Sequence, residues 1–136
     1  RALDIRQRVL GAEHPDVAQT LNNLGNLNRD RGDYAAADEF YQRALAIRGK
    51  VLGTSHPDYA WTLRDIALMM SRRGEPQQAV AGFEQVIVIL TEALGADHPD
   101  LSEVLPGYAD ALEAVGNAAR ADSVRTVAET LKPDSP

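Results

Sequence analysis

The chain of 136 residues contains no cysteine, which excludes disulfide bonds and thiolate metal sites. This absence favours a reducing compartment, and we expect a cytoplasmic protein. Long apolar runs are missing too, since residues 86–90 form one of the longest and fall far below the ~20 residues of a membrane-spanning helix. Nothing resembles a signal peptide. We therefore expect a soluble protein that has no membrane partner.

Motifs of the common enzyme classes are also absent. The sequence has no Gly-x-Ser-x-Gly elbow, no Walker-type phosphate loop and no His-Glu-x-x-His pair. Neighbouring carboxylates such as Asp38 and Glu39 are adjacent on a helix, and a solvated face explains them. The sequence predicts a protein that is not an enzyme and that needs no cofactor.

Positive charge is scarce in the second half of the chain. Residues 1–73 hold 11 Lys and Arg against 9 Asp and Glu, residues 74–136 hold 3 against 11, and the net charge is −6. Proteins that bind nucleic acids usually cluster Lys and Arg on one face. The acidic half therefore argues against a nucleic-acid partner, and solvated helix faces explain most of the charge.

What the sequence does contain is an internal repeat of 42 residues. The tripeptide His-Pro-Asp begins at His14, His56 and His98; a Leu-Gly pair precedes each copy, and a glycine lies 18 residues after each histidine. Because proline begins helices and glycine ends them, these residues mark helix boundaries rather than a catalytic motif. A repeat of this length indicates a stacked array, in which each unit buries its apolar face on its neighbours.

Each unit is predicted to form two helices. The first begins at the proline of His-Pro-Asp and ends at a glycine such as Gly32. The second covers about residues 34–52 and again 76–94, and it follows an N-cap candidate at Asp33 or, less favourably, at Glu75. We expect small residues to face one another in each hairpin and two aromatic residues to lie in the core; these are Gly25 with Ala37, Ala67 with Ala79, Ala109 with Ala121, and Tyr41 and Phe83.

The core positions of these helices resemble the signature of the tetratricopeptide repeat. They are Leu21, Leu24, Gly25, Ala37, Tyr41 and Ala44 in one unit and Leu63, Ile66, Ala67, Ala79, Phe83 and Val86 in the next. The usual repeat has about 34 residues. The surplus here fits a longer second helix and a Leu-Gly-x-x-His-Pro connection, which is similar to the kinesin light chain subtype. The resemblance implies an all-α fold, a right-handed α-solenoid of about three helical hairpins.

The register of the repeat divides the chain. The predicted segments are the end of a truncated preceding repeat (1–13), repeat 1 (14–55), repeat 2 (56–97), a divergent repeat 3 (98–132) and a frayed tail (133–136). Because the chain begins in mid-repeat, we expect a piece of a longer array whose N-terminal end could self-associate. Repeat 3 departs from the pattern, since Arg125 replaces the core aromatic residue and Pro106 and Gly107 interrupt its first helix. A terminal repeat requires such a polar outer face.

In tetratricopeptide arrays the first helices line a concave groove that receives a peptide or a helix of a partner protein, and the resemblance implies the same here. The predicted peptide-binding residues lie opposite the core face and are Gln19, Asn22, Asn26, Arg29, Trp61, Arg64, Leu68 and Arg72. Amide groups can hold a peptide backbone, and guanidinium groups bind carboxylates. Glu103, Asp110 and Glu113 make the far end of the groove acidic. Trp61 has a second interpretation, in which it packs against a neighbouring helix and fills a gap.

The three histidines are not expected to bind a metal ion. They belong to different repeats, at least roughly a helix diameter of 10 Å apart, whereas bonds to zinc are about 2 Å long. The sequence therefore predicts a non-enzymatic module for protein-protein interaction. Two alternatives stay open: a structural or self-association segment, and a regulatory region of a larger signalling protein whose kinase or NTPase domain lies elsewhere.

Overall fold

The computed structural model describes residues 14–132, which fold into six α-helices and one 3₁₀-helix. The elements are α1 (Pro15–Asp30), α2 (Tyr34–Val51), α3 (Pro57–Arg72), α4 (Pro76–Leu94), the 3₁₀-helix (Pro99–Glu103), α5 (Leu105–Ala114) and α6 (Ala118–Leu131). They pack as three hairpins, α1 with α2, α3 with α4 and α5 with α6, and each hairpin packs on the next. No strand occurs between residues 14 and 132. The predicted all-α solenoid of helical hairpins is confirmed.

Two of the predicted segments lie outside the described residues. These are residues 1–13, on which the expected self-association depends, and the tail at 133–136. In the part of the chain that the structure describes, no helix combines the length and the apolar character needed to cross a membrane.

Each His-Pro-Asp tripeptide caps a helix. The Nδ1 atoms of His14, His56 and His98 accept a hydrogen bond from the backbone N–H two residues later, at 3.0, 3.0 and 3.1 Å. The proline that follows occupies the first turn, where its missing N–H costs no hydrogen bond. Helix capping therefore accounts for the motif that marks the repeat. Among residues 14–132 no three His, Asp or Glu side chains are grouped so that they could hold a metal ion.

The turns inside the hairpins follow the same logic. Gly32 and Gly74 have φ of 81° and 83°, a left-handed conformation that favours glycine and ends α1 and α3. Asp33 then accepts a hydrogen bond from the N–H of Ala36 at 3.3 Å, which caps α2. Glu75 makes no such side-chain bond, as expected of the weakest cap.

Core packing differs along the array. Two small clusters of buried side chains serve α1, α2 and part of α3, whereas one large cluster runs from α3 and α4 through the 3₁₀-helix into α5 and α6. Tyr41 and Phe83 are both fully buried, as predicted. The partner of Gly25 is a surprise: a Cβ there would lie 2.6 Å from the ring of Tyr41, so the glycine makes room for this ring rather than for Ala37.

The first helix of the third hairpin is interrupted, although earlier than the sequence predicted. A 3₁₀-helix ends at Glu103, and α5 begins at Leu105 with Pro106 in its first turn. Proline is well suited to that position because it lacks a backbone N–H, and an N–H in the first turn would have no partner within the helix. Gly107 lies inside α5. A Cβ at this position would lie 2.8 Å from the ring of Phe83, which explains why the residue is glycine. The interruption therefore falls at Val104, and Pro106 starts the new helix.

Candidate functional site

The predicted site residues all lie on α1 and α3, the first helices of two successive hairpins. Two side-chain hydrogen bonds join these helices directly. Asn22 Nδ2 donates to Asp65 Oδ2 at 2.8 Å, and Arg72 Nη1 donates to Asp30 Oδ1 at 2.7 Å. The structure therefore places the polar residues of both helices along one inter-repeat contact. We call the contact between the α1–α2 hairpin and α3 the first interface.

Asp65 is the centre of the first interface. Its side chain is almost completely buried, and besides the amide of Asn22 it faces two guanidinium groups. Arg64 Nε lies 3.1 Å and Arg29 Nη1 lies 3.7 Å from its Oδ1. Three of the predicted site residues thus converge on one carboxylate that sequence reasoning missed. No repeated signal marks it, because the equivalent positions hold Asn23 and Gly107.

Asn22 is less accessible than the sequence predicted. Only 5% of it is exposed, and its NH₂ group is engaged by Asp65. Its Oδ1 atom is buried and has no hydrogen-bond partner. Asn22 is therefore mainly a buried contact of the first interface.

Arg48 extends the polar contact from the second helix of the first hairpin. This guanidinium group donates to Gln19 Oε1 and to Thr62 Oγ1, both at 2.7 Å, and to the carbonyl of Asp58 at 3.3 Å. Burial lowers the pKa of Arg48, and the nearby carboxylates of Asp58 and Asp65 oppose that effect. Arg48 thus ties α1 and α3 together through side chains. A sequence signal existed, since the equivalent residue one repeat later is Leu90.

Asn26 accepts a hydrogen bond from Tyr41 of the second helix. The Tyr41 hydroxyl donates to Asn26 Oδ1 at 2.6 Å, which leaves the NH₂ group of Asn26 to donate to a ligand. Burial raises the pKa of the Tyr41 hydroxyl above its ordinary value, so this donor stays protonated at neutral pH.

Trp61 and Leu68 both contact the large core cluster and are only partly exposed. The Arg64 guanidinium lies 5.3 Å from the centroid of the Trp61 ring, within the range of a cation–π interaction. The packing of Trp61 against the core agrees with its structural interpretation, while the ring and its arginine keep an exposed part on the same face. A binding role for both residues stays a prediction.

The outer parts of the face are more exposed. About half of the Arg72 side chain is accessible, and its hydrogen bond lowers the pKa of Asp30. At the acidic end, Arg125 pairs with Asp110 at 2.9 Å and with Glu113 at 2.6 Å. Glu103, on the 3₁₀-helix, is exposed. Arg125 therefore offsets part of the negative charge that the sequence predicted there.

Stacked helical hairpins with a polar face on their first helices define a repeat protein of the α-solenoid class. A family model described as Tetratricopeptide repeat matches residues 1–16, 17–58 and 60–100. These matches cover most of the chain, and the chain belongs to the tetratricopeptide repeat family. Residues 101–136, which contain the divergent third hairpin, lie outside the match. Repeats of this family generally act in protein-protein interaction.

Solved structures show the same architecture. BtubC (BKLC) from P. vanneervenii superposes with a TM-score of 0.85 at 19% sequence identity, over 99% of this chain and 57% of that one, which shows the fold. Two crystal structures of kinesin light chain TPR-like repeats from Podospora anserina give TM-scores of 0.76 and 0.74 at 25% identity, over 95% of this chain and 61% of theirs. The chain therefore spans about three fifths of the length of these structures and is similar to kinesin light chain repeats. No curated protein sequence matches it.

Proposed function

We propose that this chain is a non-enzymatic module that binds an extended peptide segment of a partner protein along the polar face of α1 and α3. The observation that carries the proposal is an excess of guanidinium groups there. Arg29, Arg64 and Arg72 face only two carboxylates, those of Asp30 and Asp65. These five side chains together carry a net charge of +1, within a chain whose net charge is −6.

Two of these guanidinium groups pair with Asp65 without forming a hydrogen bond to it. Arg29 Nη1 and Arg64 Nε lie 3.7 and 3.1 Å from Asp65 Oδ1, and both nitrogens are buried, so a ligand would meet the exposed part of Arg64, whose side chain is 29% accessible. Charge-assisted hydrogen bonds to carboxylates are stronger than neutral ones. An acidic side chain of the ligand beside Arg64 is the chemistry that this arrangement supports.

The neighbouring apolar side chains define the next part of the ligand. Trp61 and Leu68 flank Arg64 by one turn on either side of α3 and keep part of their surface exposed. Aromatic anchors beside arginine are typical of residues that dominate binding energy. We therefore expect an apolar residue next to the acidic one, and a basic residue toward the exposed Glu103. Long-range repulsion by the acidic half is screened beyond about 8 Å at physiological salt.

A peptide-library titration tests the proposal. We expect ligands of about micromolar affinity, acidic and apolar at adjacent positions. Trp61→Ala, Arg64→Glu and Asn22→Ala should each weaken binding, while Arg43→Glu, an exposed change of the same charge on α2, should not. Circular dichroism must show that each variant is folded. If a ligand binds and none of the three changes weakens it, another face is the binding surface.

A further inference from the structure

Asp65 has an environment that no other carboxylate in the described residues shares. It is 6% exposed, and its oxygen atoms face Asn22, Arg29 and Arg64, each of which is a predicted ligand contact. Arg64 in turn covers the ring of Trp61 at 5.3 Å. A buried negative charge therefore lies next to the arginines that would attract an acidic ligand.

The contrast with Asp30 shows why this burial matters. Asp30 and its partner Arg72 lie on the same face, but their side chains are 57% and 51% exposed, so water and salt screen them. The side chains around Asp65 are much less exposed, at 12% for Arg29 and 29% for Arg64. Charges at such sites act more strongly on each other and on a ligand, because the effective dielectric constant is lower.

We propose that Asp65 is a specificity-determining residue, which offsets one of the two positive charges of Arg29 and Arg64 and so limits the site to a ligand with a single acidic side chain. The ligand part of this proposal rests on the proposed function, whereas the charge part concerns the free protein. A strongly acidic segment is disfavoured because Asp65 repels every carboxylate after the first.

The structure offers a substitution that removes the charge and keeps the shape. In Asp65→Asn the new NH₂ group needs an acceptor, and the buried Asn22 Oδ1 has no partner. If the Asn22 amide turns over, its oxygen accepts from the new group, but its own NH₂ group then takes the buried place where Oδ1 now has no partner. Asp65→Asn should therefore keep the shape of the side chain at some loss of stability. Asp30→Asn is the matched control, since it makes the same change of charge at the exposed pair.

The single tryptophan of the chain reports the charge without any ligand. Quenching of Trp61 fluorescence by the iodide anion, divided by quenching by neutral acrylamide at constant ionic strength, measures the local potential. Asp65→Asn should raise this ratio about twofold at low salt, and added salt should reduce the change. Asp30→Asn should change it less. An unchanged ratio in a folded Asp65→Asn protein would overturn the proposal.

A second variant keeps the proposal testable if Asp65→Asn does not fold. Arg29→Gln removes a positive charge on the other side of Asp65, so the iodide ratio should fall by a comparable factor. A ratio that stays the same or rises in this variant would also contradict the proposal.

Peptides then separate this inference from the proposed function. For a ligand from the library and its analogue with one additional glutamate, the wild type should prefer the singly acidic form. Asp65→Asn should shift the preference toward the doubly acidic form by about threefold to tenfold. An unchanged preference sinks the role of Asp65 in specificity. If iodide quenching changes as expected but no peptide binds, the charge assignment stands and the peptide-binding function is wrong.

Discussion

The contact between the first and second hairpins contains four buried polar side chains, whereas leucine and valine occupy two of the equivalent positions in the next contact. The four are Asn22, Arg48, Thr62 and Asp65. We call the contact of the α3–α4 hairpin with the 3₁₀-helix and α5 the second interface. Here Leu90 replaces Arg48 and Val104 replaces Thr62, and both are fully buried. The same backbone register thus accepts a charged or an apolar contact, provided that both partners change together.

A pair within each hairpin teaches the same lesson. Tyr41 donates a hydrogen bond to Asn26 in the first hairpin, and Arg125 forms an ion pair with Asp110 in the third. The equivalent residues in the second hairpin are apolar; they are Phe83 and Leu68. The ion pair lies at the end of the described array, where water can solvate it. Whether a repeated position holds an apolar, a hydrogen-bonding or a charged side chain therefore depends on whether another hairpin covers it.

The largest effect should come from placing a charge in the second interface. Leu90→Arg should lower the free energy of unfolding by about 3–5 kcal/mol, because Val104 offers no hydrogen bond in the place where Thr62 accepts one from Arg48. Chemical denaturation measures this loss. Val88→Arg, at an exposed position of the same helix, is the control and should have little effect. A Leu90→Arg protein of normal stability would show that the two interfaces are not chemically distinct.

Converting the first interface into the second should be far milder. Arg48→Leu alone leaves the buried Thr62 hydroxyl without its donor. The free energy of unfolding of this variant should therefore be lower than that of the Arg48→Leu/Thr62→Val double variant by about 1–3 kcal/mol. The double variant should match or exceed the wild type, because apolar replacement of a buried charged group is often neutral or stabilising. Equilibrium denaturation of the three variants gives this order. A double variant less stable than the single one would contradict it.

Gly107 tests how tightly the second interface is packed. The equivalent position in the first interface accommodates the whole side chain of Asp65, whereas a single Cβ at Gly107 would lie 2.8 Å from the Phe83 ring. Gly107→Ala should therefore destabilise the protein by about 1–2 kcal/mol despite its better helix propensity. The cost should shrink in a Phe83→Leu background, measured as a double-mutant cycle. Equal costs in both backgrounds would rule out the proposed contact.

Tyr41→Phe makes the first hairpin resemble the second and should show a pH dependence. At pH 7 it should cost about 0.5–1.5 kcal/mol, the value of the lost hydrogen bond to Asn26. Burial raises the pKa of the Tyr41 hydroxyl, so its stabilising contribution is present below the unfolded value of about 10 and is lost as the pH rises above it. The difference between variant and wild type should therefore narrow by pH 11. Thermal unfolding at several pH values measures it, and a constant difference would argue against a buried hydroxyl.

The smallest effect belongs to the exposed pair of Asp30 and Arg72. The hydrogen bond from Arg72 lowers the pKa of Asp30, so its stabilising contribution is present above the unfolded pKa of about 3.9 and disappears as the pH falls through the lower folded value. Asp30→Asn should remove this acid sensitivity and the part of the stability that depends on salt. Glu39→Gln, an exposed change on α2, is the control. Identical acid profiles for wild type and Asp30→Asn would show that the pair contributes nothing.

Local rules were enough to predict the helices of the first two hairpins, but not the break at Val104 in the third. His-Pro-Asp places an N-cap acceptor before a proline, and glycine at Gly32 or Gly74 ends the helix that follows, so the boundaries depend on neighbours in sequence. The buried face was also predictable, because core residues return at the helical period and at the 42-residue interval. Tyr41 and Phe83 were found in this way.

The tertiary structure decided what the polar residues do. Asn22 lies opposite the core face of its own helix, yet it is buried. It packs against α3, where its partner Asp65 lies 43 residues later in the chain. The sequence marks Arg48 only as a charged residue at a position that holds Leu90 one repeat later, whereas the structure shows that its contacts with Gln19 and Thr62 join two helices. Helical periodicity determines which way a side chain points from its own axis, so α1, α3 and the core could be derived from the sequence alone. The burial, charge and partners of Asp65 depend on which helix packs beside it, and only the stacked hairpins supply that contact.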